Sequence, residues 1–338
     1  MPRRVVVIGV SSKWGSEIAR RLARLPEIEY LAGIDSEPPA ADLERTEFIE
    51  ADIRNPVMSR ILPGTEADTV VHCGILLYPE SGKPAGALHD INVIGTLQLL
   101  AACERTETLE RVIVRGSAAI YGCEAATPYF FTEDSASRTP LRTRFQRDIS
   151  ELEDYFGNFA RRHPDVVCCM LRYQPEIGPQ LDTPLGRYMS LPLVPTQLGF
   201  DPRLQLLHAD DATGALEAAI QRPVRGAVNV APNGSISLSR ALRLCRRPTV
   251  PIPHPLFEPA LARLGDRLGA GALYGDAVRF LRYGRGADNT RLRSQVGYEP
   301  AFDAEAAVRA FAAGVRGRSV GPSLHLGAVA DRLAGALR

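Results

Sequence analysis

The chain has 338 residues, 45% hydrophobic and 23% charged, which is enough for two structural units and a sizeable core. Its 40 basic residues nearly cancel its 39 acidic ones, so no strong field draws in nucleic acid or an anionic membrane. No apolar run reaches the roughly 18 residues of a membrane span. Six cysteines without a Cys-x-x-Cys predict reduced, buried thiols in the cytoplasm rather than a metal or disulfide framework.

Residues 5–8 are a β-branched run closed by Gly9, and Ile18, Leu22 and Leu25 then recur at helical spacing. Residues 30–34, 47–49 and 69–72 are further apolar runs, leading to Asp35, Asp52 and Cys73-Gly74 in turn. A helix with apolar positions Leu88, Ile91, Ile94 and 97–101 precedes a strand at 111–114, and 166–171 reads as a buried strand. The alternation predicts an α/β fold, a Rossmann-type doubly wound parallel sheet with helices on both faces. Beyond Arg172, prolines at 175, 179, 184, 192 and 195 mark a smaller mixed C-terminal unit.

The expected division is 1–172 for a dinucleotide-binding domain, with returning segments near 205–232 and 286–298. Residues 173–204 and 233–338 then form a substrate-binding unit with a helical lid near 250–285. Leu256, Phe257, Leu261, Leu264, Leu268, Phe280 and Leu281 either line that lid or cap the core beneath it. The tail from 318 onward is weakly helical and either docks or frays.

Gly9-Val10-Ser11-Ser12-Lys13-Trp14-Gly15 lies between a strand and a helix. Glycines there permit a tight turn and close approach of backbone to a pyrophosphate, which the helix N-terminus attracts. Asp35, at the end of the next strand, is the acid expected to bind the ribose hydroxyls of an adenosine.

Further landmarks follow in order: Ala51-Asp52-Ile53, Val70 to Gly74, Asn92-Val93-Ile94-Gly95-Thr96, and Gly116-Ser117 followed by Tyr121-Gly122. Leu171-Arg172-Tyr173-Gln174-Pro175, Gly178-Pro179, Leu207-His208 with Asp210-Asp211, and Val296-Gly297-Tyr298 complete the series. On these motifs the chain resembles the extended short-chain dehydrogenase/reductases of the NAD-dependent epimerase/dehydratase branch over almost its whole length. The resemblance implies that NAD(P)H is held by Gly9, Ser11, Ser12, Lys13, Trp14, Gly15, Asp35, Asp52, Ile53, Cys73, Gly74, Ile75, Asn92, Gly116, Tyr173, Gln174 and Pro175. It implies Ser117 as the catalytic serine, substrate contacts at Ser117, Ala118 and Phe145, and no metal. It further implies pairing of two copies through helices near 88–104 and 145–162.

Three departures qualify it. Ser12 replaces the middle glycine of the loop, and Pro175 replaces an asparagine. The family's Tyr-x-x-x-Lys pair, tyrosine as proton donor and lysine as its activator, reads here as Phe145-Gln146-Arg147-Asp148-Ile149. Only two lysines exist, Lys13 and Lys83, and neither follows a tyrosine by four residues. The chain also resembles actinobacterial proteins labelled UDP-glucose epimerase-like and the atypical angucyclinone ketoreductases, which lack that tyrosine.

The expectation is therefore an NAD(P)H-dependent ketoreductase for a polycyclic aromatic polyketide, with the substrate stabilising its own alkoxide. A catalytically inactive redox sensor and a sugar-nucleotide epimerase with an unusual acid are the alternatives. Asp35 favours NAD, whereas Lys13 would offset its repulsion of a 2′-phosphate.

Overall fold

A strand buried on both faces needs an apolar residue at every position, and residues 5–8 meet that condition at 0–2% exposure. In the computed structural model, which describes residues 3–77, 86–138, 140–267 and 276–317, they form most of β1 (Arg4–Ile8). Around β1 lie β2 (Tyr30–Asp35), β3 (Glu47–Glu50), β4 (Thr69–His72), β5 (Arg111–Ser117), β6 (Val167–Tyr173) and β7 (Gly226–Val230). The seven strands are ordered β3-β2-β1-β4-β5-β6-β7, and every pairing is parallel. Strand order reverses between β1 and β4, which opens a crevice beyond their carboxyl ends.

The helices are α1 (Lys13–Ala23), α2 (Met58–Gly64), α3 (Thr96–Cys103), α4 (Arg144–Arg162), α5 (Pro184–Met189), α6 (Ala209–Gln221), α7 (Leu238–Leu244), α8 (His254–Arg267), α9 (Asp276–Tyr283) and α10 (Ala304–Gly317). Through Ile18, Leu22 and Leu216, α1 and α6 cover one face of the sheet. The other face is covered by α2, α3 and α4 through Leu62, Leu99, Ile149, Leu152 and Phe156. A wide π-helical stretch, Asp90–Gly95, leads into α3, and from it the Asn92 side chain clamps the Leu76 backbone.

A third core belongs to the second unit. Phe257, Leu261, Phe280 and Leu281 are 0–3% exposed there, packed with Tyr188, Leu204, Leu242 and Val308. They cap this core and offer no apolar lid surface, while Leu256 stands in solvent. The side chain of Leu264, Leu268 and the tail from 318 lie outside the described residues. All six cysteines are free and buried. Among the described residues no helix is long and apolar enough to cross a membrane, and no cluster of metal-ligating side chains occurs.

Two buried polar groups fix the strand ends. Arg172 pairs with Glu153 at 2.6 Å, donates to Tyr121 Oη at 2.9 Å and reaches the Glu133 carbonyl at 2.7 Å. Four segments thereby share one charge that burial would otherwise make costly.

His72, at the end of β4, is fully buried: its Nδ1 accepts from Gly74 N–H at 3.4 Å and its Nε2 meets Thr96 Oγ1 at 3.1 Å. Burial pushes its pKa down from 6.5 to about 4. The unfolded chain therefore takes up a proton below about pH 6.5 that the folded chain refuses until about pH 4. Stability should fall by about 3 kcal/mol as pH drops through that window. Urea titrations of wild type and His72→Gln between pH 7 and 4 should show this slope flattened in the variant.

Candidate cofactor and active site

The loop after β1 must turn sharply and lie against the loop after β4. Gly9 has φ +78°, and a Cβ there would sit 2.4 Å from the Gly74 Cα. A Cβ on Gly15 would lie 2.1 Å from the Gly9 carbonyl oxygen, so α1 packs onto the loop only with glycine at that place. Ser12 occupies the middle position with ordinary extended backbone. Its hydroxyl donates to the Gly9 carbonyl at 2.7 Å and accepts from the Gly15 N–H at 3.0 Å, capping α1. The serine thus braces the turn from within.

Beyond the loop, a cavity of about 260 Å³ brings together Gly9, Ser11, Ser12, Asp35, Asp52, Ile53 and Gly74, all expected at a cofactor. Ile34 and Ile91 add apolar walls that suit an adenine, and Glu37 and Arg54 lie at its rim. The Asp35 carboxylate accepts from the backbone N–H groups of Ser11 and Ser36 at 3.0 and 2.8 Å. No cation is paired with it among the described residues, so it faces the cavity as an acceptor for hydroxyls. Asp52 is held by Arg54, whose guanidinium keeps the carboxyl below the usual range.

Other expected residues are placed differently. The Lys13 ammonium donates to the Gln180 carbonyl at 3.0 Å, and Lys13 is not among the residues that line the Asp35 pocket. Cys73 and Ile75 are packed into the cores, and Asn92 acts through the Leu76 backbone. A side chain on Gly116 would meet the Met170 sulfur at 2.7 Å, so this glycine serves strand packing. Pro175 presents its carbonyl to Leu207 N–H, and Ala118 is fully buried, which removes it from any substrate surface. The Tyr173 hydroxyl donates to the Ala212 carbonyl at 3.2 Å, so its side chain belongs to the core.

Trp14 and Tyr173 instead clasp Arg115. The guanidinium carbon lies 4.4 Å from one ring centroid and 4.6 Å from the other, and the group pairs with buried Glu176. Burial pushes the Glu176 carboxyl up, and Arg115 counters it. Sequence reasoning missed this pair, although an arginine inside a strand as apolar as β5 is a visible anomaly.

Ser117 closes β5, and its Oγ accepts from Ala119 N–H at 3.2 Å, capping the short turn Ala118–Tyr121. The hydroxyl proton has no acceptor among the described residues. Phe145 is half-buried against the core beneath α4, and Ile149 is fully buried in it. Hydrocarbon thus stands at both places where the resemblance puts the family's tyrosine and lysine.

Comparison with known proteins agrees with this geometry: the family model described as NAD dependent epimerase/dehydratase family matches residues 5–231. The chain belongs to that family. Uncharacterized protein Rv0501 of Mycobacterium tuberculosis (strain ATCC 25618 / H37Rv) is 39% identical over 95% of this chain and 85% of its own length. Among solved structures, UDP-glucose 4-epimerase with UDP-glucose from Thermotoga maritima has a TM-score of 0.71 at 17% identity, covering 93% of this chain and 98% of that one. The dTDP-glucose 4,6-dehydratase of Bacillus anthracis in complex with NAD has a TM-score of 0.68 at 14% identity, covering 94% and 97%.

NAD is the cofactor of this epimerase/dehydratase member, and the residues fit it. The glycine loop leaves room for a pyrophosphate at the α1 N-terminus, and Asp35 offers acceptors for ribose hydroxyls. A 2′-phosphate would meet the carboxylates of Asp35 and Glu37, and the guanidinium that lines the cavity, Arg54, is already paired with Asp52. Asp35→Ala should weaken NAD binding tenfold or more by calorimetry, from the loss of about 1.5–3 kcal/mol of charged hydrogen bonding. Binding of NADP should fall much less.

Proposed function

We propose that the protein is an NAD-dependent ketoreductase that works without the family's tyrosine and lysine. The observation that carries this reading is the pair Phe145 and Ile149. No proton can leave or enter through a phenyl or an aliphatic chain, while the cofactor crevice and Ser117 remain in place. Epimerisation and dehydration need a strong base at that position, so they are the activities this site supports least.

The reduced nicotinamide, when bound, supplies the hydride. What the chain contributes is binding at the crevice, exclusion of water by the second unit, and one polarising hydroxyl. Ser117 Oγ–H is free to donate to a substrate carbonyl oxygen as negative charge develops there. The rest of that charge is best met by the substrate, through a hydroxyl hydrogen-bonded to its own carbonyl. A hydroxylated polycyclic aromatic ketone, as found among polyketides, has this property, and its flat face suits the phenyl of Phe145.

The test follows NADH oxidation in the presence of hydroxylated polycyclic ketones. Wild type should consume NADH only when ketone is present. Ser117→Ala should lower kcat about 100-fold, with affinity for NADH unchanged, because one oxyanion donor is lost. Equal rates in both proteins would remove Ser117 from the mechanism, and no consumption with any ketone would contradict the reductase reading.

A further inference from the structure

Where the carboxyl ends of β5 and β6 meet the second unit, a group of polar side chains is buried together. Gln146, the neighbour of Phe145, uses its whole amide. Its Oε1 accepts from the N–H groups of Arg142 and Thr143 at 2.7 and 3.0 Å. Its Nε2 donates to the Ala119 carbonyl at 3.3 Å and to Asp276 Oδ1 at 2.9 Å. Arg285 donates to Asp276 Oδ2 at 3.5 Å and to Gln174 Oε1 at 3.5 Å, meets Cys123 Sγ at 3.6 Å and lies over the Phe280 ring, 5.4 Å from its centroid. The side chains of Arg285 and Asp276 are 3% and 15% exposed, and Gln174 is 1% exposed.

Two features of this cluster have no structural reason. A buried ion pair ordinarily offsets its desolvation with short, well-aligned bonds, yet both oxygen contacts of Arg285 sit at the outer limit of hydrogen-bond length. Gln174 Nε2, with its oxygen already engaged, has no hydrogen-bond partner among the described residues. A buried amide N–H left unpaired carries a penalty that an incoming acceptor removes.

We infer that Gln174, Asp276 and Arg285 form a substrate subsite for a neutral hydroxyl group, which accepts from Gln174 Nε2 and donates to the Asp276 carboxylate. A hydroxyl is the small group that carries donor and acceptor on one atom. The charges of Arg285 and Asp276 cancel, so the cluster has no surplus positive charge for a diphosphate or a carboxylate. Asp276 is the member with exposed surface, which makes it the side of entry. Through Gln146 and Ala119 the cluster adjoins the turn that Ser117 caps, so a hydroxyl held here sets how a ring system lies against Phe145. These are positioning residues for specificity. The inference rests on the ketoreductase reading and narrows it to hydroxylated ketones.

The test is calorimetric binding of 6-hydroxy-1-tetralone and of 1-tetralone to the full chain loaded with NAD. The hydroxylated ketone should bind about tenfold more tightly, the worth of one buried hydrogen-bonded hydroxyl. Gln174→Leu and Asp276→Asn should each cut that preference below about threefold, with circular dichroism unchanged. Equal binding of the two ketones, binding of neither, or a preference untouched by both substitutions would overturn the subsite. Should one variant fail to fold, the other decides. Reduction of ketones without hydroxyl preference would sink the subsite alone; preference in binding without any reduction would sink the reductase reading alone.

Discussion

Gly9 and Gly74 lie so close at the point where strand order reverses that neither loop leaves space for a side chain on Gly9. That approach sets the width of the crevice and the angle at which α1 leaves β1, and everything at the cofactor pocket follows from it. Ser12 shows how the constraint is met without a third glycine. Its backbone is unstrained, and its hydroxyl bonds both the start and the end of the turn. Asp35 is then brought to the pocket by the Ser11 N–H, so loop conformation and ribose recognition are one arrangement.

Near the carboxyl ends of β5 and β6 the protein keeps buried positive charge that cannot move a proton. Arg115, Arg172 and Arg285 are all nearly excluded from solvent, and each is matched to a carboxylate: Glu176, Glu153 and Asp276. A guanidinium stays protonated under all ordinary conditions, unlike the amine that the family's lysine provides. Such groups orient and polarise without acting as acid or base. On the ketoreductase reading proposed above, with Phe145 and Ile149 where the resemblance puts the family's tyrosine and lysine, the protein supplies binding and hydride delivery and proton handling falls to the substrate.

The parts legible in the sequence were those whose physical cause is local. The glycine loop, Asp35 and the buried strands each follow from a few adjacent residues and a fixed spacing. The absence of Tyr-x-x-x-Lys was legible because two lysines can be checked by hand. Local spacing does not carry the burial of Ala118, where the backbone turns into a short helix after Ser117, or of Tyr173, whose hydroxyl is drawn under α6. The pairs Arg115 with Glu176 and Gln146 with Asp276 were invisible: 61 and 130 residues separate their members, and only the packed fold brings them together. The buried roles of Phe257, Leu261, Phe280 and Leu281 were one of two open readings, since amphipathic spacing does not tell a core from a lid.

The central claim is that hydride reaches a carbonyl in a site with no protein tyrosine or lysine to assist. The most direct measurement is mass spectrometry of products after incubation with NADH deuterated at the nicotinamide C4 and a set of hydroxylated polycyclic aromatic ketones. The account predicts a product alcohol carrying one deuterium on the former carbonyl carbon. Tight NADH binding with no deuterium in any product would contradict it and leave a dinucleotide-binding protein that performs no reduction.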